Sequence, residues 1–108
     1  MAVTLCGASR VNRKYYFNPE FDRIPDSVKE HLREICVLFA EDAGGIFTIE
    51  FGDDGQPKFV VRPGENDSDL DEIAAEIRIR RLQEEEQELM RQLALFYQVF
   101  IVPGENRG

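Results

Sequence analysis

The chain has one histidine, two cysteines, no tryptophan and no surplus of positive charge. A lone His31 offers no partnered general base, because such a base needs an orienting group and a pocket. Lys and Arg number 13 against 21 Asp and Glu, giving a net charge of −8 and a pI near 4.6. An acidic surface repels phosphate backbones and anionic lipid, so nucleic-acid and membrane partners are disfavoured. No apolar run approaches the ~20 residues of a membrane span. The first ten residues lack the cationic start and apolar core of a secretory signal. With no export signal, Cys6 and Cys36 are expected to stay reduced, and the chain is expected in the cytoplasm.

What is present is enough for one core. The 108 residues are 43% apolar, with eight Phe and three Tyr, and the whole of 1–108 reads as a single domain. From Asp69 to about Tyr97 there is no Gly or Pro, and strong helix formers fill the segment. Leu82, Leu89 and Phe96 recur every seventh residue, with Ile79 and Leu93 offset by the 3–4 spacing that lines one helix face. The spacing predicts one long helix of roughly eight turns at 3.6 residues each. A rod of that length outruns a core of this size. The expectation is therefore pairing with a second copy through Ile79, Leu82, Glu86, Leu89, Leu93 and Phe96. Glu86 falls on the seam, where it either marks an open turn or meets a cation such as Arg80, Arg81 or Arg91.

Earlier in the chain, Ala2 to Ser9 and Lys14 to Asn18 read as two strands of a hairpin, joined by a basic turn. A helix is predicted over Ile24 to Asp42, with Pro25 at its first position, or a capping box of Ser27 and Glu30 one turn later. Val28, Leu32, Ile35, Cys36, Phe39 and Ala43 share its apolar face, and Gly44-Gly45 stops it. Ile46 to Phe51 alternates, Asp53-Asp54-Gly55 is a hairpin turn, and Lys58 to Arg62 returns. Ser68 with Asp71 caps the long helix. Residues 98–102 suit either the helix end or a further strand, and 105–108 read as a loose tail. The expectation is an α+β fold: an antiparallel sheet of about four strands in β-β-α-β-β-α order, two helices on one face and the second helix long.

Few constellations suggest chemistry. Asp67-Ser68-Asp69-Leu70-Asp71 imitates a calcium loop, but Glu72 stands where the turn needs Gly and Arg78 where a bidentate Glu belongs. Cys36 lies among Ile35, Val37 and Phe39, a packing environment rather than a reactive one. Glu41 and Asp42 place two negative charges at a helix C-terminus, at a cost of roughly 0.3–1 kcal/mol each. That choice marks them as candidate ligand or partner contacts, or as charges offset by Arg13 or Lys14. Arg78, Arg80 and Arg81 form a small basic cluster, with Arg78 and Arg81 the candidate anion contacts.

Three stretches carry a likeness to a known family: Met1-Ala-Val-Thr-Leu-Cys-Gly-Ala, then Cys36-Val-Leu-Phe-Ala-Glu-Asp-Ala-Gly-Gly, then Asp71-Glu-Ile with Leu82-Gln. Together they resemble an uncharacterised bacterial family of small acidic proteins, a domain of unknown function. The likeness spans nearly the whole chain and implies an intracellular bacterial protein. It brings no activity, cofactor or site residue.

The reading is thus a non-enzymatic protein-interaction module, self-associating as a homodimer through the long helix, with another protein as a further partner class. The alternative is a small-ligand or anion sensor near Arg78 or Arg81. A carboxylate enzyme built on Glu41 and Asp42 ranks last, because adjacent helical residues point about 100° apart. No catalytic, cofactor or metal set is expected.

Overall fold

A computed structural model describes residues 2–11, 13–64 and 70–101. Strand β1 (Val3–Ser9) and strand β2 (Lys14–Phe17) form an antiparallel hairpin. A single 3-10 turn over Pro19–Phe21 follows, started by Asn18, whose side chain accepts from the Glu20 N–H. Helix α1 (Asp26–Ala43) begins after Pro25, which is its N-cap rather than its first residue, and no side chain caps it. Strands β3 (Ile46–Phe51) and β4 (Pro57–Arg62) form a second antiparallel hairpin. Two helices close the described chain, α2 (Glu72–Glu85) and α3 (Gln87–Phe96), and α3 runs into a π-helical turn, Tyr97–Ile101. The fold is α+β, with a four-stranded antiparallel sheet in the order β2-β1-β3-β4 and three helices.

The alternation read in β3 sorts the sheet. Phe47, Ile49 and Phe51 are fully buried, while Ile46 and Thr48 on the other side are only partly so. Phe39 of α1 stacks on Phe47 at 4.1 Å, and Tyr97 packs on Phe51 at 4.5 Å. Phe21 joins Phe51 from the 3-10 turn at 5.4 Å. Each such buried ring contributes about 1.5–3 kcal/mol of transfer free energy. The turn of the second hairpin uses Gly55, whose φ of +77° is a left-handed value that favours a residue without Cβ. Gly7 is required for another reason: a Cβ there would lie 2.7 Å from the Thr48 methyl and 2.8 Å from the Phe47 carbonyl oxygen.

The predicted single rod is broken. Glu86 leaves helical geometry at φ −110° and ψ 30°, separating α2 from α3. Hydrogen bonds still cross the break, from the Glu86 N–H to Leu82 and from the Met90 N–H to Glu86. The bend has a packing reason. It lets α2 lie against α1 while α3 turns its own apolar face down toward β4. Leu89 and Leu93, at 8% and 2% exposure, are core residues of this chain, and Ile79, Leu82 and Phe96 are half-buried against the same core. Asp71 caps α2 by accepting from the Ala74 N–H. Residues 98–101 belong to the π turn rather than a strand. Ser68, most of the imitation calcium loop and the expected tail at 105–108 lie outside the described residues.

Candidate functional site

The sequence-predicted contacts are dispersed by the fold. Asp42 accepts an ion pair from Arg78 of α2 at 2.6 Å, which offsets the unfavourable charge at the end of α1. Arg80 is taken by Glu76 one turn back at 3.0 Å. Arg81 stands exposed without an ion pair among the described residues. The basic cluster read in this helix is therefore mostly spent on internal pairing. Glu86 meets none of the three arginines proposed for it. His31 of α1 holds it instead, with 2.9 Å between Nε2 and Oε1. Of the interaction set, Ile79, Leu82, Leu89, Leu93 and Phe96 all pack on the chain's own core.

Glu41 goes elsewhere. It lines a cavity of about 490 Å³ between α1 and the first hairpin, where Arg10, Arg13, Lys14 and Arg33 gather. Among the described residues that line it, four cations and one carboxylate gather, in a chain whose net charge is −8. The elements explain the convergence. The β1–β2 turn brings three of the basic residues to the end of the hairpin, and α1 crosses β1 so that Arg33, Val37, Ala40 and Glu41 face that end. Among the described residues no carboxylate lies within ion-pair distance of Arg13, Lys14 or Arg33. Arg13 takes a left-handed backbone at φ 51°. For a residue other than Gly this costs roughly 1–2 kcal/mol.

Tyr15 forms part of the cavity wall, on the same side of the hairpin as Ala8. Its phenol oxygen is buried and has no hydrogen-bond partner among the described residues. Burial above all, then the nearby Cys6 and Cys36 sulfurs, pushes its pKa above the usual tyrosine range, and Arg33 pulls the other way. The phenol stays protonated, with its oxygen turned toward the two cysteine sulfurs. Cys6 and Cys36 face each other at 3.7 Å between sulfurs, both fully buried. A disulfide needs about 2.05 Å, so both are free thiols. Contact with Cys6, then burial, raises the Cys36 pKa, which makes the thiol inert at neutral pH.

Sequence reasoning saw the turn at Arg10 to Lys14 as basic and offered Arg13 or Lys14 as the offset for Glu41 and Asp42, but gave the turn no ligand; Glu41, Arg13 and Lys14 do line one cavity. The missing partner was Arg33, which periodicity places on α1 but not opposite the hairpin. Among the described residues, no three histidine, cysteine or carboxylate side chains converge as metal ligands. No helix among them is long and apolar enough to cross a membrane.

Comparison with known proteins finds no curated protein and no solved structure that matches. A family model does match, over residues 2–106, nearly the full length, and by it the chain belongs to the Family of unknown function (DUF6145).

Proposed function

We propose that this protein is a non-enzymatic binding module that takes a small anion in the cavity between α1 and the first hairpin. One observation supports the reading most: Arg13, Lys14 and Arg33, with Arg10 beside them, line a single cavity in which Glu41 is the sole acid among the described residues. Like charges gathered at one place repel unless an anion sits among them, and guanidinium groups present the forked donors that phosphate and carboxylate accept. The strained backbone at Arg13 fits this reading, since such strain clusters at binding sites. Glu41 supplies an acceptor for an ammonium or hydroxyl on the same ligand. The site thus replaces Arg78 and Arg81 as the anion contact. The buried free thiols support placing the protein in a reducing compartment, as the cytoplasm is.

Thermal unfolding in inorganic phosphate, against chloride at matched ionic strength, tests the proposal. A ligand bound only by the folded state at one hundred times its Kd adds about 2.7 kcal/mol. Phosphate should raise Tm in the wild type and much less in Arg33→Ala. Equal Tm in both salts rejects it.

Self-association is a second reading, with its own observation. Ile73 and Ile77, one helical turn apart, are 75% and 54% exposed on α2. They lie on the outward side of the helix, away from the buried seam. A homodimer would use this side rather than Leu89 and Leu93. Light scattering at tens of micromolar checks it: a dimer should become a monomer on Ile77→Glu, and a wild-type monomer removes the idea.

A further inference from the structure

Strand β4 is an edge of the sheet, and its outer edge faces a groove walled by α2 and α3. The Gly52 N–H donates to the Gln56 carbonyl at 3.0 Å, which makes that pair a bonded one. Alternation along an antiparallel ladder then bonds Glu50 to Lys58 and Thr48 to Val60. It leaves Phe59 and Val61 with their N–H and C=O groups aimed away from β3. Pro57 fits the same phase, because its absent N–H would also point outward. No backbone partner among the described residues takes the outward groups of Phe59 and Val61.

The groove beside this edge has two compartments that meet at Gln83. The one at the hairpin end, about 700 Å³, has an apolar floor of Phe59, Met90 and Ala94 beneath side-chain amides from Gln56, Gln87 and Gln98. The other, about 520 Å³, continues past Val61 along α2 to Ile79 and Glu72. Charge differs between the ends. Among the described lining residues, the hairpin end holds Lys58 and Arg91 and no carboxylate, whereas the far end holds Glu72 and Glu76 against Arg80. Arg91 is engaged by Glu88 and Glu76 by Arg80, so among the described lining residues Glu72 and Lys58, the latter also near Asp53 of the turn, are the charges outside these pairs.

We infer that this groove binds an extended peptide segment of a partner protein, which adds to β4 as a fifth, antiparallel strand. Open backbone groups call for a backbone, the apolar floor takes alternate side chains, and the amides hold the rest. An antiparallel segment begins at the Glu72 end and finishes at Lys58. The matching ligand is about six residues long, the length of β4. It is basic near its N-terminal end, apolar at alternate positions, and acidic near its C-terminal end.

The test selects peptides from a displayed random hexapeptide library on the folded full chain, then follows amide hydrogen exchange with the enriched peptide. Enriched sequences should carry that charge order, and the bound peptide should slow exchange at Phe59 and Val61 at least tenfold. Val61→Pro removes one outward donor and should weaken binding about tenfold. Ala94→Arg fills the groove from the helix wall without touching the strand and should weaken it as well, which keeps the test decisive if Val61→Pro does not fold. No enrichment, or binding that leaves Phe59 and Val61 exchange unchanged, overturns the inference. So does slow exchange of those amides in the free protein that fades on dilution, since a second copy would then occupy the edge.

Discussion

Glu50 is the buried charged side chain among the described residues, at 8% exposure, and its neighbours show why it is tolerated. Arg62 donates to one carboxylate oxygen at 2.9 Å, and the Thr48 hydroxyl donates to the same oxygen at 2.7 Å. The Arg62 bond, more than the Thr48 bond, holds the Glu50 pKa below its usual value against the opposing effect of burial. A depressed carboxylate pKa means stability that is full above the unfolded-state pKa, about 4.3, and is lost as pH falls through the lower folded value. Arg62→Met should therefore destabilise by about 1–3 kcal/mol at pH 7, leaving a buried carboxylate without its cation. The gap from wild type should shrink at pH 3. Urea unfolding at the two pH values measures both. A gap that is constant across pH would mean that Arg62 acts by packing alone.

At the level of elements, the break at Glu86 decides what the apolar seam is for. Leu93 is 2% exposed in the core, whereas Ile77 on the outward side is 54% exposed. Leu93→Ala should cost about 2–5 kcal/mol in chemical unfolding, independent of protein concentration. Ile77→Ala should stay within about 0.5 kcal/mol. A Leu93→Ala penalty that vanishes on dilution would instead return the seam to a partner. The heptad spacing of Leu82, Leu89 and Phe96 was fully legible in the sequence, and so was the side of β3 carrying Phe47, Ile49 and Phe51. Legibility ended at what covers the seam. Periodicity shows that a face is buried, not whose surface buries it. The break was foreshadowed only by a carboxylate in an apolar register, and its holder, His31, lies 55 residues away.

Across the whole molecule, charge is unevenly held. Arginines on α2 that looked available in sequence are drawn into pairs with Asp42 and Glu76, because helical neighbours and a packed α1 lie within reach. The cations at Arg13, Lys14 and Arg33 are left without such pairs among the described residues. Half of this site could be read from the chain, namely the basic turn between two strands. The other half needed α1 to be laid across the hairpin, which no local pattern specifies. The most direct measurement of the central claim is a phosphate titration followed by amide and arginine side-chain resonances in the intact protein, at constant ionic strength. Binding in the cavity predicts saturable shifts at Arg10, Arg13, Lys14, Tyr15 and Arg33, lost in Arg33→Ala. Shifts that never saturate, or that centre on Arg78 to Arg81, would contradict it.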